Sequence, residues 1–328
     1  REKGLAGGQG FAGPPAGRRA GIGRGRGGGR MSADTPAGEK LSRFAVSPAR
    51  RRKDKLARAA ITAGTVIALI PLVLILYYLL SKGLGSWSWS FFTTDPTGNT
   101  FFKSSSIGGI KSAILGTVEI VALASAIAIP IGVGVAIWLV EYGRDSWFAR
   151  LVRFFVDVLT GVPSIVFGLF IYIVLIVGTG SSYAGYKGSF ALALLMLPVV
   201  IRSAEVILLL IPGALRESAL ALGAPRWKVI FRIVLPTALP GMITGVLLAI
   251  ARAAGETAPL LFTAASTRNT NFNLGQFMNS LPVQIYDDVT SPTTAVVNRA
   301  WGAALTLVAM ILLLNLIARL VSRRSRLA

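Results

Sequence analysis

Two close pairs of ionisable residues stand within otherwise apolar stretches of this chain: Arg202 and Glu205, three apart, and Arg252 and Glu256, four apart. Those spacings place each pair on one face of a helix. A charge in hydrocarbon costs about 2.5–3.5 kcal/mol on insertion scales, so such residues are functional candidates by default. A guanidinium presents planar, bidentate donors to a tetrahedral oxyanion, and a neighbouring carboxylate can neutralise it between binding events. The chemistry suggested is passage of an anion through a membrane. The same pairs would also serve as interhelical ion pairs that fix helix register, and both roles stand at this point. Arg202, which follows Pro198 on its span, is the stronger pathway candidate, because the proline can open the helix and free carbonyls. Glu119 is a further intramembrane carboxylate with no evident partner. No His and no Cys occur, which removes thiolate nucleophiles, imidazole bases, disulfides and His/Cys zinc sites together. No catalytic constellation remains, and the expectation is a protein that is not an enzyme.

The elements that must position these residues follow from composition. With 53% hydrophobic and 15% charged residues in 328, and a mean hydropathy of +0.64, the chain is too apolar for an ordinary soluble domain. A bilayer core about 30 Å thick needs roughly 20 apolar helical residues per crossing. Six stretches qualify: Ala57–Leu80, Ile107–Leu139, Phe154–Gly178, Phe190–Ile211, Ala238–Ala264 and Trp301–Leu320. The first lacks the small-residue cleavage site of a signal peptide. Lys and Arg then set the orientation. They crowd ahead of the first span (Lys40 to Arg58), in the second loop (Arg144, Arg150, Arg153), in the fourth loop and in the tail (Arg319 to Arg326). The opposite loops hold Lys82, Lys103, Lys187, Arg268 and Arg299 beside Asp95, Asp287 and Asp288. The expected fold class is therefore an all-α membrane protein of six transmembrane helices with both termini cytoplasmic. Residues 1–56 read as a disordered basic segment, of which 1–30, ahead of Met31, has the composition of a non-native leader; 57–320 form the six-helix transmembrane domain, and 321–328 a basic tail. Aromatic clusters Trp87, Trp89, Phe91, Phe92 and Phe101, Phe102 suit an interfacial belt or a short helix on the membrane surface. No P-loop pattern occurs, since Tyr186 interrupts the one Gly/Lys stretch, so ATP must bind elsewhere.

The fourth loop, 212–236, carries the most specific pattern. Pro212-Gly213 breaks the fourth span, Arg216 to Leu222 has helical composition, Gly223 suits a C-terminal cap, and Pro225 suits the first turn of a second helix closed by Leu235-Pro236. Small Ala219, Ala221 and Gly223 permit close approach of a partner. Arg216, Arg226, Lys228 and Arg232 can meet acidic groups or lipid phosphates.

This loop resembles the signature of the membrane subunits of binding-protein-dependent ABC importers, E-A-A, three residues, G, nine residues, I-x-L-P. Glu217-Ser218-Ala219 leads to Gly223 and then to Ile233-Val234-Leu235-Pro236 at that spacing, with Ser218 the one departure, conservative in size. Further stretches resemble the PstA-type permeases of phosphate importers: Gly108-Gly109-Ile110 with Gly116-Thr117, Ile129 to Gly134 leading to Glu141-Tyr142, Gly161 to Phe170, and Gly255 to Ala264. The resemblance extends over most of 107–265.

It implies a six-helix type I importer permease in a prokaryotic plasma membrane, with no cofactor in this chain and ATP and Mg on a partner. The implied partners are a second permease subunit (PstC-like), a dimer of ATP-binding subunits (PstB-like), an extracytoplasmic phosphate-binding protein (PstS-like) and membrane lipid, with no nucleic acid. Arg216, Glu217, Ser218, Ala219, Gly223, Ala224, Pro225 and Trp227 would transmit nucleotide-driven closure to the spans. Arg202, Glu205, Arg252 and Glu256 would line the pathway. Two arginines suit sulfate or molybdate as well as phosphate, so a related oxyanion importer stays open, as does a secondary anion transporter, which would have no need of a coupling loop.

Overall fold

The computed structural model describes residues 48–97 and 107–324. The basic segment 1–47, Phe101, Phe102 and Lys103, and the last four residues, 325–328, lie outside the described residues. The chain divides into two units, Arg1–Val66 and Ile67–Ala328. What is described of the first is helical from 48 onward, with Thr62 and Thr65 returning their hydroxyls to the carbonyls four residues back.

The described residues fold as helices joined by turns and loops, with a single isolated bridge, Pro96 to Gly108, outside the helices. Among the described residues, five helices or helix runs are long and apolar enough to cross a membrane: α1 (Pro48–Gly83), α3 (Lys111–Ile137) with a widened turn Trp138–Gly143, α6 (Gly185–Leu209), α9 (Leu235–Ala254) entered through α8 (Arg226–Val229) and a widened turn Ile230–Val234, and α12 (Thr294–Arg324). The shorter elements are α2 (Trp89–Thr93), α4 (Trp147–Gly161), α5 (Ser164–Ile171), α7 (Gly213–Ala221), α10 (Ala258–Leu261) and α11 (Leu281–Val289).

The expected third span, Phe154–Gly178, is corrected. α4 and α5 meet at 103°, because Pro163 holds Val162 in the extended region (φ −73°, ψ 130°) and denies it a helical turn. α5 and its widened extension Tyr172–Val177 rise about 21 Å at 1.5 Å per residue. The pair still makes one crossing. Gly116 and Gly185 both close on Met278, and Gly132 closes on Val200, so α3 and α6 run parallel. A chain leaving the end of one and entering the start of the other must cross between them. α4 stays at the end it left, where Arg153 donates to Leu139 O (3.1 Å) and Arg144 O (2.8 Å); α5 therefore makes the return, giving six crossings in all.

The core lies where α3, α6 and α9 meet. Ile120, Ala124 and Ala128 pack with Leu192, Met196, Val200, Ala249 and Ala253. Small residues on the facing sides let the backbones approach, the usual means of helix association in lipid. Gly168 on α5 is one such contact: a Cβ there would come within 2.6 Å of Pro259 Cα. Gly168→Ala should therefore destabilise the protein by about 1–3 kcal/mol, read as a lower midpoint in detergent-induced unfolding.

Further details were not legible in the sequence. On the short helix α2, Phe91 is buried against Ile110, Ala113, Leu281 and Ala303, while Trp89 is exposed. Lys187 and Arg299, counted as loop cations, are buried within helices. Lys187 Nζ donates to Ser181 Oγ (2.6 Å) and Ser182 O (2.5 Å), and Arg299 forks onto Asp288 at 2.7 and 2.8 Å. The segment 267–298 carries the middle of a buried polar chain that runs from Ser112 through Asn279, Gln284 and Asp288 to Arg299.

Candidate functional site

The fourth loop folds as two short helices. α7 ends in a left-handed cap: Gly223 has φ +81°, its N–H donates to Leu220 O (2.9 Å), and Ala224 N–H donates to Ala219 O (3.3 Å). This pair of bonds is the Schellman arrangement, which satisfies carbonyls the helix end would leave open. Space around Gly223 is free, so the requirement for glycine comes from the dihedral alone. Gly223→Ala should cost about 1–2 kcal/mol through the left-handed conformation, visible as lower stability of the assembled protein without loss of membrane insertion. Pro225 precedes α8 as its N-cap rather than occupying its first turn. Leu235-Pro236 does not close a helix, either: α8 continues through the widened turn into α9. Pro236 lacks an N–H and crowds the carbonyl four residues back, and the turn at Ile230–Val234 absorbs both defects.

Two of the loop's basic residues are committed within the chain, which corrects their assignment to external acidic groups. Arg216 Nε donates to Glu141 Oε1 (2.9 Å), Nη1 to Ile211 O (2.8 Å) and Nη2 to Leu208 O (2.9 Å). Arg226 Nη2 donates to Glu141 O (2.6 Å) and its guanidinium lies 5.3 Å from the Tyr142 ring centroid. Glu141, known in sequence only as part of a resembling stretch, is buried. With Arg216 half-buried and Arg226 still exposed, the loop presents Leu215, Glu217, Leu220, Leu222 and Trp227 outward, Leu222 89% and Trp227 53% exposed. Ser218 is exposed beside them, Ala219 is buried under α7, and Ala224 is half-buried.

The two Arg/Glu pairs differ sharply. Glu205 has a side chain only 4% exposed, held by Arg153 Nε (2.6 Å) and Arg202 Nη1 (2.8 Å). Arg202 Nη2 also pairs with Asp157 on α4. Two cations and two anions close a neutral cluster that pins α4 to α6. Arg252 and Glu256 form a looser pair at 3.5 Å, with the Arg252 side chain 47% exposed; they do not share a helical face as their spacing suggested, because α9 ends at Ala254 and Glu256 lies past it. Gly241 packs on Ile207 and Gly245 on Ser203, so α9 runs antiparallel to α6. Two turns beyond Gly245, Arg252 lies on the same side, level with Met196 near the middle of α6 and about 9 Å along the axis from Arg202 at 1.5 Å per residue. Glu119 Oε2 is buried without a hydrogen-bond partner.

Arg153 and Asp157 were not visible as members of this cluster from sequence, since their partners lie 52 and 45 residues away. The usable signal was the excess of Arg at the end of a span that also carries an acidic residue.

Comparison with known proteins agrees with this architecture. Residues 128–327 match the family model described as binding-protein-dependent transport system inner membrane component. The chain is 40% identical over 278 residues to the phosphate transport system permease protein PstA of Yersinia pestis, covering 84% of this chain and 92% of that protein. It is 42% identical to PstA of Haemophilus influenzae, covering 83% and 94%. Among solved structures, the fold is similar to a chain of the MetNI methionine ABC transporter in an inward-facing conformation (TM-score 0.56, 20% identity, 65% of this chain and 94% of that one). It is also similar to a chain of a bacterial alginate ABC transporter (TM-score 0.56, 18% identity, 83% and 96%). The chain belongs to the family of inner membrane components of binding-protein-dependent transport systems, together with the PstA permeases.

Proposed function

We propose that this chain is a permease subunit of an ATP-driven phosphate importer, forming half of the translocation pathway and performing no hydrolysis itself. The observation that carries the reading is the projecting helix pair 213–229, whose exposed Leu222 and Trp227 offer an apolar docking face that a carrier working alone would not need. ATP and Mg belong to a dimer of separate ATP-binding subunits seated on that face. A second permease subunit completes the pathway, and an extracytoplasmic phosphate-binding protein delivers the anion. The substrate follows from the PstA relatives, 40–42% identical over most of both chains.

Both termini share the cytoplasmic side with the coupling loop, since six crossings return the chain to the face where it began and the basic residues concentrate there. Arg252 is the anion contact: half-exposed, in the last turn of α9 level with the middle of α6, and only loosely paired with Glu256. The Arg202–Glu205 cluster serves instead to hold α4 against α6, a shift in emphasis from the expectation that put Arg202 first.

Radiolabelled phosphate uptake in cells lacking this chain tests the proposal. Restoration by the wild-type chain should depend on an active partner ATPase and be indifferent to excess sulfate or molybdate. Competition by either would reassign the oxyanion, and uptake that survives ATPase inactivation would make the chain part of a secondary carrier.

A further inference from the structure

Three arginines from three separate elements converge on one turn. Arg153 of α4 reaches Leu139 O and Arg144 O, Arg216 of α7 reaches the Glu141 carboxylate, and Arg226 of α8 reaches Glu141 O. The turn they grip, Trp138–Gly143, is the widened end of α3. Such a turn frees carbonyls that a regular helix would use internally, and cations at a helix C-terminus are favoured by the aligned peptide dipoles. Arg216 does more than grip α3. Its remaining donors reach Leu208 O in the last turn of α6 and Ile211 O just beyond it, so one guanidinium ties the coupling loop to the ends of two core helices at once.

We infer that Glu141 is a positioning residue for energy coupling. Through Arg216 it makes α7 and the ends of α3 and α6 move as one body when the loop is displaced. Its carboxylate, buried with its side chain 4% exposed and held by Arg216, is not available to a partner protein. Arg216 is the residue immediately before Glu217, so the tether sits at the start of the outward face that a partner would push. The apolar contacts Ala219, Val229 and Val234 against Ala136 and Val140 hold the loop in place without the ion pair. Loss of the charge pair should therefore loosen transmission while the complex still assembles.

The inference rests on the proposed function, and its test separates the two. The whole importer, reconstituted in proteoliposomes with its ATPase, second permease and binding protein, is assayed for phosphate taken up per ATP hydrolysed, for wild type, Glu141→Gln and Arg216→Lys. Glu141→Gln should lower that ratio about tenfold, the equilibrium worth of one charge-assisted hydrogen bond, with ATP hydrolysis retained. Arg216→Lys keeps the charge but not the fork and should give a smaller loss in the same direction; it decides the matter if Glu141→Gln does not co-purify with the complex. A wild-type ratio in either assembled variant overturns the inference, as does a proportional fall of hydrolysis and uptake, the mark of a merely structural residue. If the wild-type importer itself takes up no phosphate on ATP, it is the functional reading that fails.

Discussion

Arg252→Gln should reduce phosphate uptake by about 100-fold, equivalent to roughly 2.7 kcal/mol at 1.36 kcal/mol per decade, while assembly of the complex is unchanged. The magnitude is that of removing bidentate, charge-assisted donors from an anion in a poorly hydrated setting. Its side chain is 47% exposed and its carboxylate partner stands at 3.5 Å, so the substitution leaves little that must repack. Arg202→Gln is the informative contrast. Glu205 would keep Arg153 at 2.6 Å, and Asp157, whose side chain is 62% exposed, can be solvated once unpaired. Uptake should stay within about threefold of wild type, in keeping with the modest worth of partly exposed pairs. Equal losses at both positions, measured as initial rates at saturating phosphate, would mean that Arg202 is also on the pathway.

The second large effect is on stability. Asp288→Ala would strand Arg299, whose side chain is 7% exposed, amid a polar chain that also includes Gln284. Breaking a buried pair by removing one partner costs about 3–5 kcal/mol, whereas replacing both by apolar residues of similar volume is often near neutral. Asp288→Ala should therefore lower the midpoint of detergent-induced unfolding strongly, and the double variant Asp288→Leu with Arg299→Met should recover most of it. Arg299 also donates to Ile107 O, tying α12 to the approach to α3. A single variant that unfolds like wild type would show that the pair is hydrated in the membrane.

The spans were legible because a bilayer imposes length and composition, two properties that a run such as Ile120 to Ile137 displays directly. Gly223 was legible because a left-handed cap is a local demand that few residues meet. Pro163 was visible too, but the sequence does not say whether a proline kinks a span or turns it by 103°; that depends on Arg153 reaching the end of α3. The ion pairs show the same limit. Arg202 and Glu205 share a helix, and Arg252 and Glu256 meet across the end of one, so both pairs could be read from spacing, whereas Glu141–Arg216 and Arg153–Glu205 join residues 75 and 52 apart, where spacing carries no information. Those distant partners changed the reading most: they withdrew Arg216 from the external surface and showed Arg202 to be closed within a neutral cluster.

The most direct test of the central claim is phosphate accumulation in proteoliposomes containing the complete importer, with ATP enclosed on the coupling-loop side and the binding protein on the other. Uphill accumulation that requires ATP and ceases when Arg252 is changed to Gln is the predicted result. Equal accumulation with and without ATP, or full accumulation with Arg252→Gln, would contradict it.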